Sequence, residues 1–269
     1  MIESDAPEEG PIYVEHAPHP ELARYIECYW SIVCRLSPEA RQPARVLPDG
    51  CMDILFNLGD QPRREQGADT PATVIGAMTQ AVEVEYDDHM ELVGVRFRPG
   101  GATPWLDVPA SELTDQVVGL EELWGAEAKR TYERLSEAGA GGRIALLDEI
   151  LIKRLRGTAN PADQRILRAS EAVADHDGGL RVELLADATG LGRRQLERRF
   201  LACVGVPPKT ASRIARFRSV VSGMHADPAS ELARLVMEAG YADQAHMNRD
   251  FRALAGVAPG AYVAELRDR

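Results

Sequence analysis

The 269-residue sequence is short of aromatics (6%), of cysteine (four) and of positive charge, with 31 Lys+Arg against 42 Asp+Glu and a net charge of −11. Each shortage excludes something. No apolar stretch approaches the roughly 20 residues that a membrane-crossing helix needs, so no membrane partner is expected. The opening MIESDAPEEGP is acidic and has no basic segment leading into an apolar run. It does not read as a secretion signal, and the cytoplasm is the expected compartment. Cys28, Cys34, Cys51 and Cys203 lack Cys-x-x-Cys spacing and read as reduced packing residues. His16, His19 and His89 do not have ligand spacing, and no His-x-His is present, so no metal site is expected. No nucleophile or acid/base pair is announced by spacing, so no catalytic residue is assigned and no cofactor is implied.

The deficit of positive charge is uneven. Residues 1–159 hold 15 Lys+Arg against 28 Asp+Glu, a net of −13, while residues 160–269 hold 16 against 14, a net of +2. Arg193, Arg194, Arg198 and Arg199 fall within seven residues. An acidic first part repels phosphate, so a polyanion should be met by the second part only.

The two parts also differ in periodicity. Residues 25–34 and 52–58 are short apolar runs rich in β-branched and aromatic residues, the second preceded by the turn signal Pro48-Asp49-Gly50. Residues 82–86 and 93–98 alternate as half-buried strands should; the latter puts Val93, Val95 and Phe97 on one face and Arg96 and Arg98 on the other. Residues 59–72 read as a polar loop. A helical stripe through Leu120, Leu123, Trp124, Tyr132 and Leu135 is broken at Gly139-Ala-Gly-Gly142. Ile144, Leu147, Leu151 and Leu155 then mark one face of a second helix, either the partner in a capping helical pair or a dimer seam. Gly157-Thr-Ala-Asn-Pro161 reads as a linker. The expected class is α+β: a β-rich region, residues 1–158, ending in helices, followed by an all-helical region, residues 159–269.

Within the helical region one pattern occurs twice. Glu183 to Phe200 is followed by a Gly205-Val-Pro-Pro208 turn, and Glu231 to Phe251 by Gly256-Val-Ala-Pro259; Phe200 and Phe251 are 51 residues apart, as are Gly205 and Gly256. Each copy reads as an apolar helix, a glycine turn and a second helix carrying arginine, which is a helix-turn-helix. The units span about 182–203 and 231–254. Gly190 and Gly240 suit left-handed helix ends. Residues 208–225 form a long connecting helix with Ile214, Phe217, Val221 and Met224 inward. Paired units of this kind point to double-stranded DNA.

In that reading Leu196 and Phe200, then Met247 and Phe251, anchor the second helices in the core. Their outer faces present Arg193, Arg194, Glu197 and Arg198 in the first unit and Gln244, His246, Asn248 and Arg249 in the second. Arginine can clasp guanine, glutamine and asparagine suit adenine, and glutamate can accept from cytosine. Any of the arginines could equally serve phosphate.

Gly190-x-Gly-x-x-x-Leu-x-x-x-Phe200 with Gly205-Val-Pro-Pro-Lys209, and Gly240-Tyr-Ala-Asp-Gln-Ala-His-Met-Asn-Arg-Asp-Phe-Arg252 with Pro259, resemble the AraC/XylS family of bacterial transcription regulators over about 164–266. Leu47-Pro-Asp-Gly50 with Asp53, and Gly94 to Ala102, are similar to the β-rich region of a poorly characterised subgroup. The resemblance implies a seven-helix DNA-binding domain, two recognition helices in successive major grooves, and a front domain that senses an effector or dimerises. A promoter, a small-molecule effector, RNA polymerase and a second copy are the implied partners; activation is the expected output, with repression the open alternative. Gly192 stands where the family usually has serine, a weaker cap.

Trp30, Asp53, Phe56 and Arg96 are the candidate ligand-binding residues of the first domain, weighed against core packing and solvated charge. The competing reading is a thiol-based enzyme or repair protein with an attached DNA-binding module, using Cys28 or Cys34. A strongly depressed thiol pKa in a cleft would favour it.

Overall fold

The computed structural model describes residues 12–35, 44–59, 70–84, 89–227 and 232–267. The first part holds strands β1 (Ile12–His16), β2 (Ile26–Arg35), β3 (Ala44–Val46), β4 (Met52–Asn57), β5 (Ala72–Ile75), β6 (Val82–Val84), β7 (His89–Phe97) and β8 (Val117–Gly119). Six of them form an antiparallel sheet in the order β1-β2-β7-β4-β5-β8, and β3 and β6 form a separate two-stranded ribbon.

Period-two alternation decides which face each side chain takes. Val93, Val95 and Phe97 of β7 and Ile54 and Phe56 of β4 enter the main core with Tyr29 of β2. The residues between them point to the other face, where Cys28, Trp30 and Leu55 make a smaller cluster. The first face is covered by α1 (Leu120–Trp124), α2 (Ala126–Glu137) and α3 (Ala140–Gly157). The single stripe expected through Leu120–Leu135 is two helices, because Gly125 at φ +55° turns the chain between them. Trp105 is wedged at the centre: its indole donates to Leu151 O, and that of Trp124 donates to Trp105 O.

Two expectations need correction. Leu147 and Leu151 are 1% and 0% exposed and sit in this chain's own core. The 144–155 stripe is therefore consumed by the sheet and cannot be a dimer seam; the capping-pair alternative describes it. Of the segment read as a half-buried strand over 82–86, the described part, Val82–Val84, lies outside the main sheet, and Val82 is 46% exposed. Its alternation serves the ribbon with β3. Residues 85–86, and most of the 59–72 loop, lie outside the described residues.

The second part is α4 (Gln164–Asp175), α5 (Val182–Thr189), α6 (Arg193–Val204), α7 (Pro208–Ala226), α8 (Leu232–Glu238), α9 (Gln244–Ala255) and α10 (Pro259–Arg267). Gly190 and Gly240 end α5 and α8 at φ +64° and +69°, the left-handed geometry that a glycine accepts without Cβ strain. Hydrophobic packing does not divide where the sequence changes character. The main core runs unbroken from the sheet through α4, α5 and α6, whereas α7 to α10 gather round a second cluster that includes Phe217, Met247 and Phe251. The segment read as a linker is tied down too, since Asn160 Nδ2 donates to Thr103 O and Leu106 O.

Candidate nucleic-acid interface

Each helix-turn-helix is built the same way. In the first, α5 and α6 meet across the Gly190 turn; Leu196 and Phe200 are fully buried, which forces the opposite side of α6 outward. In the second, α8 and α9 meet across Gly240, with Met247 and Phe251 buried. Phe251 meets Phe217 of α7 edge-on at 5.0 Å, so the connecting helix is packed directly behind the second reading helix.

The outward side of α6 carries all four residues expected there. Arg194 and Arg198 are exposed, and no ion pair engages them among the described residues. Arg193 and Glu197 are paired with each other at 3.1 Å, and Arg193 also reaches Glu183 at 2.8 Å. Those carboxylates hold the guanidinium proton more tightly, with the Glu197 hydrogen bond the leading cause. Arg193 must exchange carboxylates for any new anion; Arg194 and Arg198 need not. A groove beside them is lined by Arg193, Arg194, Glu197, Arg198 and Lys209. Lys209 was not among the expected site residues. Its position one residue after Pro208, in the first turn of α7 where a helix begins beside α6, was the available signal.

On α9, Gln244 and Arg249 are exposed and Asn248 is half-buried. His246 is divided between two roles. Its ring meets Tyr241 edge-on at 5.2 Å, and Nε2 lies 3.8 Å from Asp250 Oδ2. Asp250 is buried and takes a 2.9 Å hydrogen bond from Arg213 of α7. Thus His246 leans back toward the helix's support, while Gln244 and Arg249 face out. The N-termini differ: Asp243 caps α9 by accepting from the His246 N–H at 2.6 Å, whereas Gly192 offers α6 no side-chain cap.

The candidate ligand residues of the first domain divide between the two faces of the sheet. Trp30, Asp53 and Arg96 come together on the face away from the helices, and Phe56 lies on the opposite face inside the core. Trp30 can reach Asp53 because Gly94 lies between them: a Cβ there would stand 2.1 Å from Trp30 Cε2. The indole lies across the glycine and donates to Asp53 Oδ1 at 2.8 Å. Arg96 Nε is 3.3 Å from Asp53 and 3.6 Å from Asp49. Burial pushes the Asp53 carboxyl up to about 6, against the opposing pull of Arg96. Among the described residues no cluster of His, Cys, Asp and Glu could hold a metal ion.

The duplicated unit matches the family of helix-turn-helix domains over residues 185–265. The chain carries an AraC-type helix-turn-helix domain. Residues 14–119 match a domain of unknown function, DUF6597, so the AraC-type module follows a sheet with a family of its own. Among solved structures the chain is similar to ToxT from Vibrio cholerae. One ToxT structure, at 11% identity, covers 83% of this chain and 97% of that chain with a TM-score of 0.47. Another, bound to (E)-4-(8-methylnaphthalen-1-yl)but-3-enoic acid, has 11% identity, coverage of 84% and 98%, and a TM-score of 0.47. A search of curated proteins found no match.

Proposed function

We propose that this protein is a one-component, sequence-specific transcription regulator that reads double-stranded DNA through α6 and α9. One observation carries the reading: both helices bury an apolar pair four residues apart and turn the opposite, polar side outward, with Arg198 and Arg249 at equivalent places two residues before the buried Phe. Arg193, Arg194, Glu197 and Arg198 on α6, and Gln244, His246, Asn248 and Arg249 on α9, are the proposed contact residues. The proposed division places a sensing or dimerising domain at 1–158 and the DNA-binding domain at 159–269. The two helices would occupy successive major-groove segments about 34 Å apart.

An effector reading is supported by a cavity of about 350 Å³ at the seam between the two parts, lined by Asp49, Gly50 and Pro99 on one side and by Ser170, Phe200 and Arg218 on the other. A small molecule there would touch the sheet domain and the helices behind the first reading helix at once. Pairing with a second copy would use the β1 edge of the sheet, where Ile12 and Val14 are 54% and 41% exposed beside Val33. Activation through RNA polymerase is the proposed output, in the cytoplasm.

Selection of bound sequences from a random duplex pool by the full-length protein, followed by footprinting, tests the reading. Enrichment of a motif with two segments is expected. Arg198→Ala and Arg249→Ala should each cost roughly 1–3 kcal/mol and relax one position if they read a base, or weaken all sequences alike if they hold phosphate. A folded protein that binds no duplex at low salt sinks the proposal. The thiol-enzyme alternative has little support: burial pushes the Cys28 thiol up to about 11, and it raises Cys34 as well, the reverse of what a nucleophile needs.

A further inference from the structure

Helix C-termini leave carbonyls without intrahelical partners. At the ends of the two reading helices, groups of the sheet domain donate to such carbonyls. At the end of α6, Gly205 O accepts from Thr114 Oγ1 at 2.5 Å. At the end of α9, Leu254 O accepts from the Ala81 N–H at 2.7 Å and Ala255 O from Arg45 Nη1 at 2.8 Å. Gly205 and Gly256 are the same position of the repeat, and both close their helices in the left-handed conformation. The sheet domain therefore holds both units within two residues of the same repeat position, at the C-terminal end of the helix that faces outward.

The two holds are joined. Thr114 precedes Asp115, whose carboxylate accepts from the Thr79 N–H and from Thr79 Oγ1, each at 2.6 Å. The Asp115 N–H donates to Ala77 O, and the Gly76 N–H donates to Gln116 O. Gly76 has no room for a side chain, because a Cβ would fall 1.6 Å from Leu113 O. Loops 76–81 and 110–116 are thus fused into one piece, with Thr114 at one end and Ala81 at the other. Asp115 adopts φ +57°, a left-handed conformation uncommon outside glycine and retained here by its bonds to Thr79.

From these contacts we propose that the 76–81/110–116 loop pair is a bracket that sets the separation and angle of the two reading helices, with Asp115 and Thr79 as its positioning residues. The proposal rests on the DNA-reading assignment above but makes a claim of its own: the spacing between the two groove segments is imposed by the sheet domain as well as by α7. Charge supports the same contact on the second unit. Arg45 brings a cation to the C-terminal end of α9, where the helix dipole favours it, and is itself positioned by Glu83 at 3.1 Å.

The test measures the distance directly. Spin labels at the exposed positions Gln195 on α6 and Ala253 on α9 of the full-length chain, in a Cys203→Ser background, should give one narrow distance distribution. Asp115→Ala and, separately, Thr79→Val should broaden or shift it while far-ultraviolet circular dichroism stays unchanged. Asp115→Asn, which keeps an acceptor and tolerates left-handed geometry, should restore it. A parallel selection from a random duplex pool should give one fixed segment spacing for the parent and several for Thr79→Val. An unchanged distance distribution in both Asp115→Ala and Thr79→Val overturns the proposal, as does an unchanged spacing in the selection. Should Asp115→Ala unfold, Thr79→Val, which removes a single hydroxyl bond, decides alone. The distance measurement needs no DNA, so failure of the bracket and failure of the DNA-reading assignment are distinguishable.

Discussion

Trp30, Gly94, Asp53 and Arg96 form a polar spine on the face of the sheet opposite the helices. Adding a methyl at Gly94 would displace the indole and break its bond to Asp53. Gly94→Ala should therefore destabilise the protein by about 1–3 kcal/mol, the range of overpacked cores, as read by urea unfolding. Asp53 makes a second prediction. Its folded-state value of about 6 lies above the unfolded value of about 3.9. The folded chain holds this proton more strongly, so the stability it contributes is complete below about pH 4 and is lost as pH rises through 6. Across that window the parent should lose on the order of 1–3 kcal/mol that Asp53→Asn does not lose, measured by denaturant midpoints at several pH values. Alternation alone put Arg96 opposite Val93, Val95 and Phe97. Alternation along β4 likewise sets Phe56, three residues on, opposite Asp53. It could not bring Trp30 onto the face of Asp53 or lay it over Gly94, because strand register depends on pairing partners far away in the chain.

At the scale of single elements, the helices were the most legible. The 51-residue repeat, the glycine turns and the buried pairs Leu196/Phe200 and Met247/Phe251 all appear at the expected places, since a 3.6-residue period survives in sequence whatever the helix packs against. Strands of three or four residues, such as β3, β5 and β8, left no period to read. The break at Gly125 was hidden for a related reason: apolar spacing continues through it. Gly192 is an element-scale weakness. Its φ of −63° and ψ of 147° suit any residue, and a Cβ there meets nothing within 4 Å. Gly192→Ser should stabilise α6 by a few tenths of a kcal/mol, roughly the difference between those two caps. A small rise in melting temperature is the expected reading, and a fall would show that the serine hydroxyl does not reach the α6 amides.

For the whole molecule, packing and sequence draw different boundaries. Composition and charge change near residue 159, and the helix-turn-helix pattern begins well after it. Yet the hydrophobic core joins the sheet to the first unit and leaves the second on a cluster of its own. Such fusion was invisible beforehand, because the joining residues, Val204 and Val206, look like ordinary helix-end and turn residues. Native-state hydrogen exchange on the intact chain should show the amides of α5 and α6 opening with the central strands of the sheet, and those of α8 and α9 opening separately and at lower cost. Identical exchange energies for both units would contradict a divided core.

Only three tryptophans occur in the chain, and two of them, Trp105 and Trp124, are bonded to backbone carbonyls deep in the main core. Trp30 alone has its indole hydrogen tied to a carboxylate that titrates near pH 6. Intrinsic fluorescence thereby becomes a built-in optical probe: an emission change centred near that pH reports on one side chain, without any label. The same signal would register a ligand or a neighbouring chain that disturbs the outer face of the sheet.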